Sequence, residues 1–316
     1  MDNGKKTRKL ITEITEAENG LRLDVWLSQR FTYHSRTQWQ QFVKNRAVTI
    51  NNFSTKPSRV LNSGDVIEYS IKEKVEPEVN RNYLIIFENN SFIVVNKPPD
   101  IPCHPSGSYF NNTLSEILSL DLNLKLYLVH RLDRETSGVI LFAKNSEYAG
   151  KLSQLFKLGL ASKEYVAVVH GSFPDCFSAE GFLTSDDESI IRKKRKFILK
   201  NDLHEGNENF EYAKTKFEVI KRGNGLSMLR VIPETGRLHQ IRATLYSLGF
   251  PMVGDKIYGV DDAIFLRFIE GELVEEDYNK LLISHQALHA EKLTINLDGK
   301  SMEFSAEIPR ELSSLF

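Results

Sequence analysis

Short apolar runs divided by turn residues, with no alternation of strand and helix, constrain this chain more than any other feature. Residues 84–87 and 92–95 flank Glu88-Asn89-Asn90-Ser91, and Lys97-Pro98-Pro99 closes that hairpin. Residues 293–296 and 302–304 flank Asp298-Gly299, a dipeptide suited to the left-handed positions of a tight hairpin. Further strands are predicted over 126–129, 139–143, 165–169 and 226–232. Helices are fewer. One is expected over 113–118, one capped by Ser146 with Leu152, Leu155 and Phe156 on one side, and one from about Arg237 to Leu248, stopped by Gly249. Parallel α/β folds need a repeating strand–helix rhythm, and there is none. The predicted class is therefore α+β with a largely antiparallel sheet.

With 316 residues, the chain can hold one large domain and one small one. Residues 1–19 read as a polar tail. Residues 20–75 read as a compact unit: an apolar start at Leu21, Leu23, Val25, Trp26 and Leu27, a cap at His34-Ser35-Arg36-Thr37, a second helix over 38–44, then a hairpin turning at Asn51-Asn52. The charged stretch 72–81 contains Pro77 and reads as a linker, placed at 76–83. Residues 84–316 form the large domain. Met1 to Thr15 lack an apolar secretory core, and no apolar run is long enough to span a bilayer, so no membrane association is expected. Cys103 and Cys176 make neither a disulfide framework nor a zinc site, which fits a reducing cytoplasm.

The net charge of -1 by itself argues against a nucleic-acid protein, but the charge is unevenly distributed. Residues 1–75 hold 13 Lys and Arg against 8 Asp and Glu, and the remainder 28 against 34. Basic groups can therefore share one face. In the small unit these include Arg36, Lys44, Arg46 and Lys56, candidates for RNA binding beside the plainer reading of a solvated basic face.

The strongest chemical signal is His130-Arg131-Leu132-Asp133-Arg134-Glu135-Thr136-Ser137-Gly138, placed where a loop meets the apolar run 139–143. Charge beside a core strand is costly unless paired or chemically used. Arginines keep a neighbouring carboxylate ionised, and an ionised carboxylate can attack carbon. A structural ion pair is the competing explanation of Asp133. Lys163 to Gly171 places Tyr165 at the entrance to an apolar strand, as core packing or as a platform on which a base stacks. In Pro233 to Arg242, Arg237 stands where loop becomes helix, a place that favours an anion. The turn 251–259 reads as architectural.

Other sites are set aside. In a kinase catalytic loop the aspartate follows His-Arg directly, and here Leu132 intervenes, with no glycine-rich phosphate loop before it. Gly223-Asn224-Gly225 lacks the third glycine of a dinucleotide site. His285 and His289 have the spacing of a helical metal pair but no third ligand, and structural histidines are expected. Arg192 to Lys196 reads equally as a phosphate-binding run or a solvated loop.

Two resemblances follow. Arg22-Leu23-Asp24, Ser35-Arg36, Val48-Thr49-Ile50-Asn51 and Leu61-Asn62-Ser63-Gly64-Asp65 resemble the alpha-L RNA-binding module of a small-subunit ribosomal protein. Residues 84–310 resemble the RluA-like family of RNA pseudouridine synthases. That resemblance is carried by His130-Arg131-Leu132-Asp133 with Thr136-Ser137-Gly138, by Lys163, Tyr165 and Gly171, by Gly236-Arg237 with His239-Gln240-Ile241-Arg242, by Gly254-Asp255 with Tyr258-Gly259, and by Leu288-His289-Ala290. Ala243-Thr244-Leu245 departs from the valine and histidine often found after that arginine, and 186–210 and 261–280 look like insertions. The resemblance implies isomerisation of uridine in RNA, ribosomal RNA first and transfer RNA as runner-up, by a monomer needing no cofactor and no metal. It implies Asp133 as nucleophile, toward the ribose anomeric carbon, toward carbon six of uracil, or by a glycal route. Tyr165 would stack on the uracil and help move a proton. Arg237 would pair with Asp133. His130, Arg131 or Arg134 would help hold the opened backbone. A non-catalytic RNA-binding or ribosome-assembly protein is the alternative.

Overall fold

In the computed structural model, residues 7–31, 34–72, 76–202 and 210–316 are described. Parts of the predicted tail 1–19, the compact unit 20–75 and the 186–210 insertion lie outside them. The chain divides into two units, 7–79 with 104–117, and 80–103 with 118–316.

The first unit contains β1 (Thr7–Glu13), α1 (Leu23–Arg30), α2 (Arg36–Lys44), β2 (Val48–Ile50), β3 (Phe53–Ser54) and β4 (Val66–Lys72). Its sheet runs β1-β4-β2-β3. The stretch read as a tail thus contributes a full strand, with Thr7 opposite Lys72 and Glu13 opposite Val66. Its charged residues hid it, because an edge strand tolerates charges that a central one would not. Ser35 caps α2 as expected: its Oγ accepts from Gln38 N–H at 3.3 Å, and Gln38 Oε1 accepts from Ser35 N–H at 2.9 Å. Two indoles anchor the core with Leu23, Leu27, Val43, Val48 and Leu61. Each finds an acceptor, Glu18 for Trp26 and the Phe31 carbonyl for Trp39.

The helix α3 (Leu114–Asp121) begins in the first unit and ends in the second. The second unit holds β5 (Leu84–Glu88), β6 (Phe92–Lys97), β7 (Tyr127–Leu128), β8 (Ser137–Ala143), α4 (Ser146–Lys157), β9 (Ser162–His170), β10 (Cys176–Ser185), β11 (Arg195–Leu199), β12 (Glu211–Gly223), β13 (Leu226–Pro233), α5 (Gln240–Ser247), α6 (Asp262–Glu270), α7 (Glu275–Leu281), β14 (Leu288–Leu297), β15 (Lys300–Ser305) and α8 (Arg310–Ser313). The large sheet runs β11-β10-β12-β13-β9-β14-β8-β6-β5, with β15 on β14 and β7 on β8. Among the described strands only β8 and β14 pair in parallel. The α+β, largely antiparallel expectation is met.

Two local expectations change. Asn145, not Ser146, caps α4, its Oδ1 accepting from Tyr148 N–H at 2.9 Å. The helix expected from Arg237 starts at Gln240, because His239 adopts a left-handed φ of 56°.

Register brings the site together. Ala290 in β14 lies opposite Gly138 in β8 and opposite Tyr165 in β9. The loop carrying Asp133 therefore runs into β8 one strand away from Tyr165, with β14 between them. Gly138 permits this approach: its φ is +109°, and a Cβ there would lie 2.2 Å from the Ala290 carbonyl oxygen. Gly138→Ala is expected to destabilise the fold by at least about 2 kcal/mol, from backbone strain plus overpacking, read by denaturant unfolding. Wild-type stability in that variant would contradict the assigned contact.

Candidate active site

The loop before β8 is held from beneath. Lys97 is fully buried and donates to the Pro98 carbonyl at 2.8 Å and the Arg134 carbonyl at 2.9 Å. Burial lowers its pKa to about 8. Ile101 N–H also reaches the Arg134 carbonyl, at 3.2 Å. Cys103 Sγ donates to the Leu132 carbonyl at 3.2 Å. Within the loop, Thr136 N–H closes onto the Asp133 carbonyl. Backbone groups on both sides of Asp133 are thereby satisfied, which fixes where its carboxylate points.

That carboxylate meets Arg242. Asp133 Oδ2 accepts from Arg242 Nη1 at 2.7 Å, and Asp133 keeps 23% of its side chain exposed. Behind it, Asp255 takes the same guanidinium bidentately, from Nε at 2.6 Å and Nη2 at 2.8 Å. Asp255 Oδ1 also accepts from Ile257 and Tyr258 N–H, each at 2.9 Å. Burial alone would raise the Asp133 pKa. The guanidinium outweighs it, so the carboxyl sits below the usual carboxylate range, and Asp255 is held down for the same reason. Arg242 is pushed above the ordinary arginine range by its two carboxylates, despite burial. Two anions share one cation, so Asp133 stays ionised without being fully neutralised.

The expected Arg237 pairing is thus corrected. Arg237 lines the cleft, but its Nε donates to the Tyr212 carbonyl at 3.2 Å, and it is exposed. Gln240 holds its loop, accepting from Arg237 N–H at 2.9 Å. Arg242 escaped attention as part of a longer motif. The overlooked signal was an arginine among Ile241, Ala243 and Leu245, all buried on α5. A charge on such a face needs carboxylates.

A cavity of about 100 Å³ opens over Asp133, lined among others by Arg131, Lys163, Tyr165, Arg237 and His239. The Tyr165 ring is buried, and burial together with Asp133 raises its pKa, so the phenol keeps its proton. Lys163 reaches the cleft with no ion-pair partner among the described residues, and burial lowers its pKa. Arg131 is exposed on the rim. His239 Nδ1 lies 2.9 Å from the Tyr258 hydroxyl, and burial lowers its pKa to about 4.

His130 and Arg134 are placed differently from the expectation. His130 does not line the cavity. Its Nε2 accepts from Leu141 N–H at 3.1 Å, and its ring stacks on Phe156 at 4.3 Å. Burial lowers its pKa to about 3, so it is a neutral acceptor that ties the loop to β8. Arg134 pairs with Glu135 at 2.6 Å and lies over the Phe268 ring. The two histidines considered for a metal are not on a helix. His289 in β14 meets Ser137 Oγ at 2.9 Å, and His285 Nε2 lies 3.0 Å from Glu311. Among the described residues no three His, Cys, Asp or Glu are grouped to hold a metal.

In the first unit, Lys44, Arg46 and Lys56 are exposed and have no ion pair among the described residues. Arg36 is committed to buried Asp24, at 2.9 Å, alongside Arg22 and Gln40. The run 192–196 is not one solvated loop: Lys194 is buried against Asp262, and Arg195 pairs with Glu211.

The pattern of the RNA pseudouridylate synthase family matches residues 91–247, and that of the S4 domain matches 21–67. The ribosomal large subunit pseudouridine synthase D of Borreliella burgdorferi is 32% identical over 94% of this chain and 89% of its own length. The mitochondrial tRNA pseudouridine(32) synthase of Saccharomyces cerevisiae is 32% identical over 76% of this chain, which spans 50% of that protein. The solved structure of human RNA pseudouridylate synthase domain containing 1 aligns at a TM-score of 0.59 and 25% identity, covering 76% of this chain and 90% of that one. The chain belongs to the RNA pseudouridylate synthase family, isomerases acting on RNA, and carries an N-terminal S4 RNA-binding domain.

Proposed function

We propose that this chain converts uridines of large-subunit ribosomal RNA to pseudouridine, with Asp133 as nucleophile. The observation that carries the reading is the Asp133 carboxylate, kept ionised by Arg242 yet open to a cavity walled by Tyr165. A uridine must leave its stack to reach it, at roughly a few kcal/mol, less where the base is already unpaired. The ring of Tyr165 would stack on the uracil. Its raised pKa supports a neutral phenol there, so proton transfer through it would begin with donation. The bond from ribose to N1 breaks, the uracil turns, carbon five joins the same ribose carbon, carbon five loses its proton and N1 gains one. Nothing is oxidised or reduced, so the balance needs no cofactor. Arg131 and Arg237 on the rim would meet the opened backbone.

The ribosomal target is supported by coverage. The relative named for the large ribosomal subunit aligns with 94% of this chain, the one named for tRNA with 76%. Tritium release from unmodified large-subunit ribosomal RNA labelled at carbon five tests the reading. Release is expected, and release only from transfer RNA would overturn the target. Action as a monomer in the cytoplasm is part of the same proposal.

The S4 domain would dock the substrate. Exchanging Lys44, Arg46 and Lys56 together for alanine is expected to weaken RNA binding at least about tenfold at moderate salt. Unchanged affinity in a filter-binding titration would remove these residues from the interface.

A further inference from the structure

The two stretches read as insertions, 186–210 and 261–280, touch each other through Lys193 and Lys194 on one side and Phe265 and Asp262 on the other. Lys194, just before β11, is buried and donates to Asp262 at the start of α6 at 2.6 Å, with its ammonium 3.9 Å from the Tyr246 ring centre. Arg195 N–H donates to the Tyr258 hydroxyl at 3.0 Å, and that hydroxyl contacts His239 of the cavity wall. The backbone on the C-terminal side of Lys193 is therefore fixed against the site. Lys193 itself is exposed, and its ammonium sits 4.8 Å from the centre of the Phe265 ring on α6. No described carboxylate pairs with it. One helical turn further on, Phe268 carries the guanidinium of Arg134 at 5.3 Å and the ammonium of Lys256 at 4.8 Å. Those two cations have carboxylate partners in Glu135. Burial lowers the Lys193 pKa, Arg242 and Arg134 add to that, and Glu135 and Asp133 oppose it.

We infer that Lys193, backed by Phe265, is a phosphate-binding residue for the RNA strand that enters this cavity. An ammonium set on an aromatic face, with the nearby carboxylates committed to other cations, is arranged for an external anion. Lys194 and Asp262 act as positioning residues for it. A phosphodiester is the anion that RNA brings there, so the inference rests on the proposed function and names one contact within it.

The test uses full-length protein with Lys193→Gln and Lys193→Arg. Oligouridylate binding is titrated across a salt series, and steady-state turnover is measured on unmodified large-subunit ribosomal RNA. Losing one phosphate contact is expected to reduce the magnitude of the salt slope by about 0.7. It should raise KM about tenfold with a smaller change in kcat. Lys193→Arg should recover most of both effects. Phe265→Leu, which keeps the charge but removes the ring, should raise KM with the slope retained. A wild-type salt slope and KM in Lys193→Gln would overturn the Lys193 assignment alone. A wild-type protein that neither binds with salt dependence nor releases tritium would overturn the functional reading, and this inference with it.

Discussion

Asp133→Asn is expected to reduce turnover by roughly 10⁴-fold or more while leaving RNA affinity within a few fold. An amide is not a nucleophile at carbon, so the covalent step is lost. The change should not unfold the protein. Asparagine Oδ1 can still accept from Arg242 Nη1, and Arg242 keeps both bonds to Asp255. The backbone bonds that hold the loop, from Lys97, Ile101 and Cys103, do not involve the carboxylate. Thermal melting should separate loss of chemistry from loss of fold. The acid limb of wild-type turnover gives a second reading. Asp133 is depressed below the ordinary range, so its charge persists through pH values where a free aspartate, near about 3.9, begins to protonate. Activity limited by this group should therefore fall only at more acidic pH. Undiminished turnover in Asp133→Asn would remove the carboxylate from the chemistry.

Much of this was legible where one residue type can do only one job. Asp298-Gly299 forced a hairpin, and both residues adopt positive φ between β14 and β15. The cap read at His34-Ser35-Arg36-Thr37 announced a helix start, and α2 begins at Arg36 behind Ser35. Asp133 stood out because charge next to five apolar residues needs a reason. What stayed hidden depended on partners far along the chain. Nothing near Arg237 or Arg242 tells which one reaches residue 133, because β8, β14, β9 and α5 must be assembled first. The strands β10 to β12 were missed because their polar face dominates: Ala213, Thr215 and Phe217 point inward between Tyr212, Lys214, Lys216 and Glu218. His130 misled because a neutral, half-buried histidine and a phosphate-binding one read alike in sequence. Only its acceptor bond from Leu141 separates them.

Arg242→Met should be the most damaging single change to stability and should abolish turnover as well. Methionine fills similar space, so the loss is chiefly electrostatic. Removing one partner of a buried ion pair typically costs about 3–5 kcal/mol, and this arginine serves two carboxylates. The sign of the pH dependence follows. In the wild type both aspartates have depressed pKa values, so their stabilising contribution is present above the unfolded value and is lost as pH falls through the folded one. Without the arginine, burial is no longer outweighed, and both folded values rise above the unfolded ones. The variant then gains relative stability as acid protonates the pair. Urea unfolding at neutral pH and near about pH 4 should show the gap between variant and wild type narrowing in acid. Combining Arg242→Met with Asp255→Asn should recover part of the stability, since one uncompensated charge is gone, yet restore no turnover, because Asp133 would still lack the cation that keeps it ionised. A gap independent of pH would mean that the loss arises from packing rather than from two orphaned carboxylates.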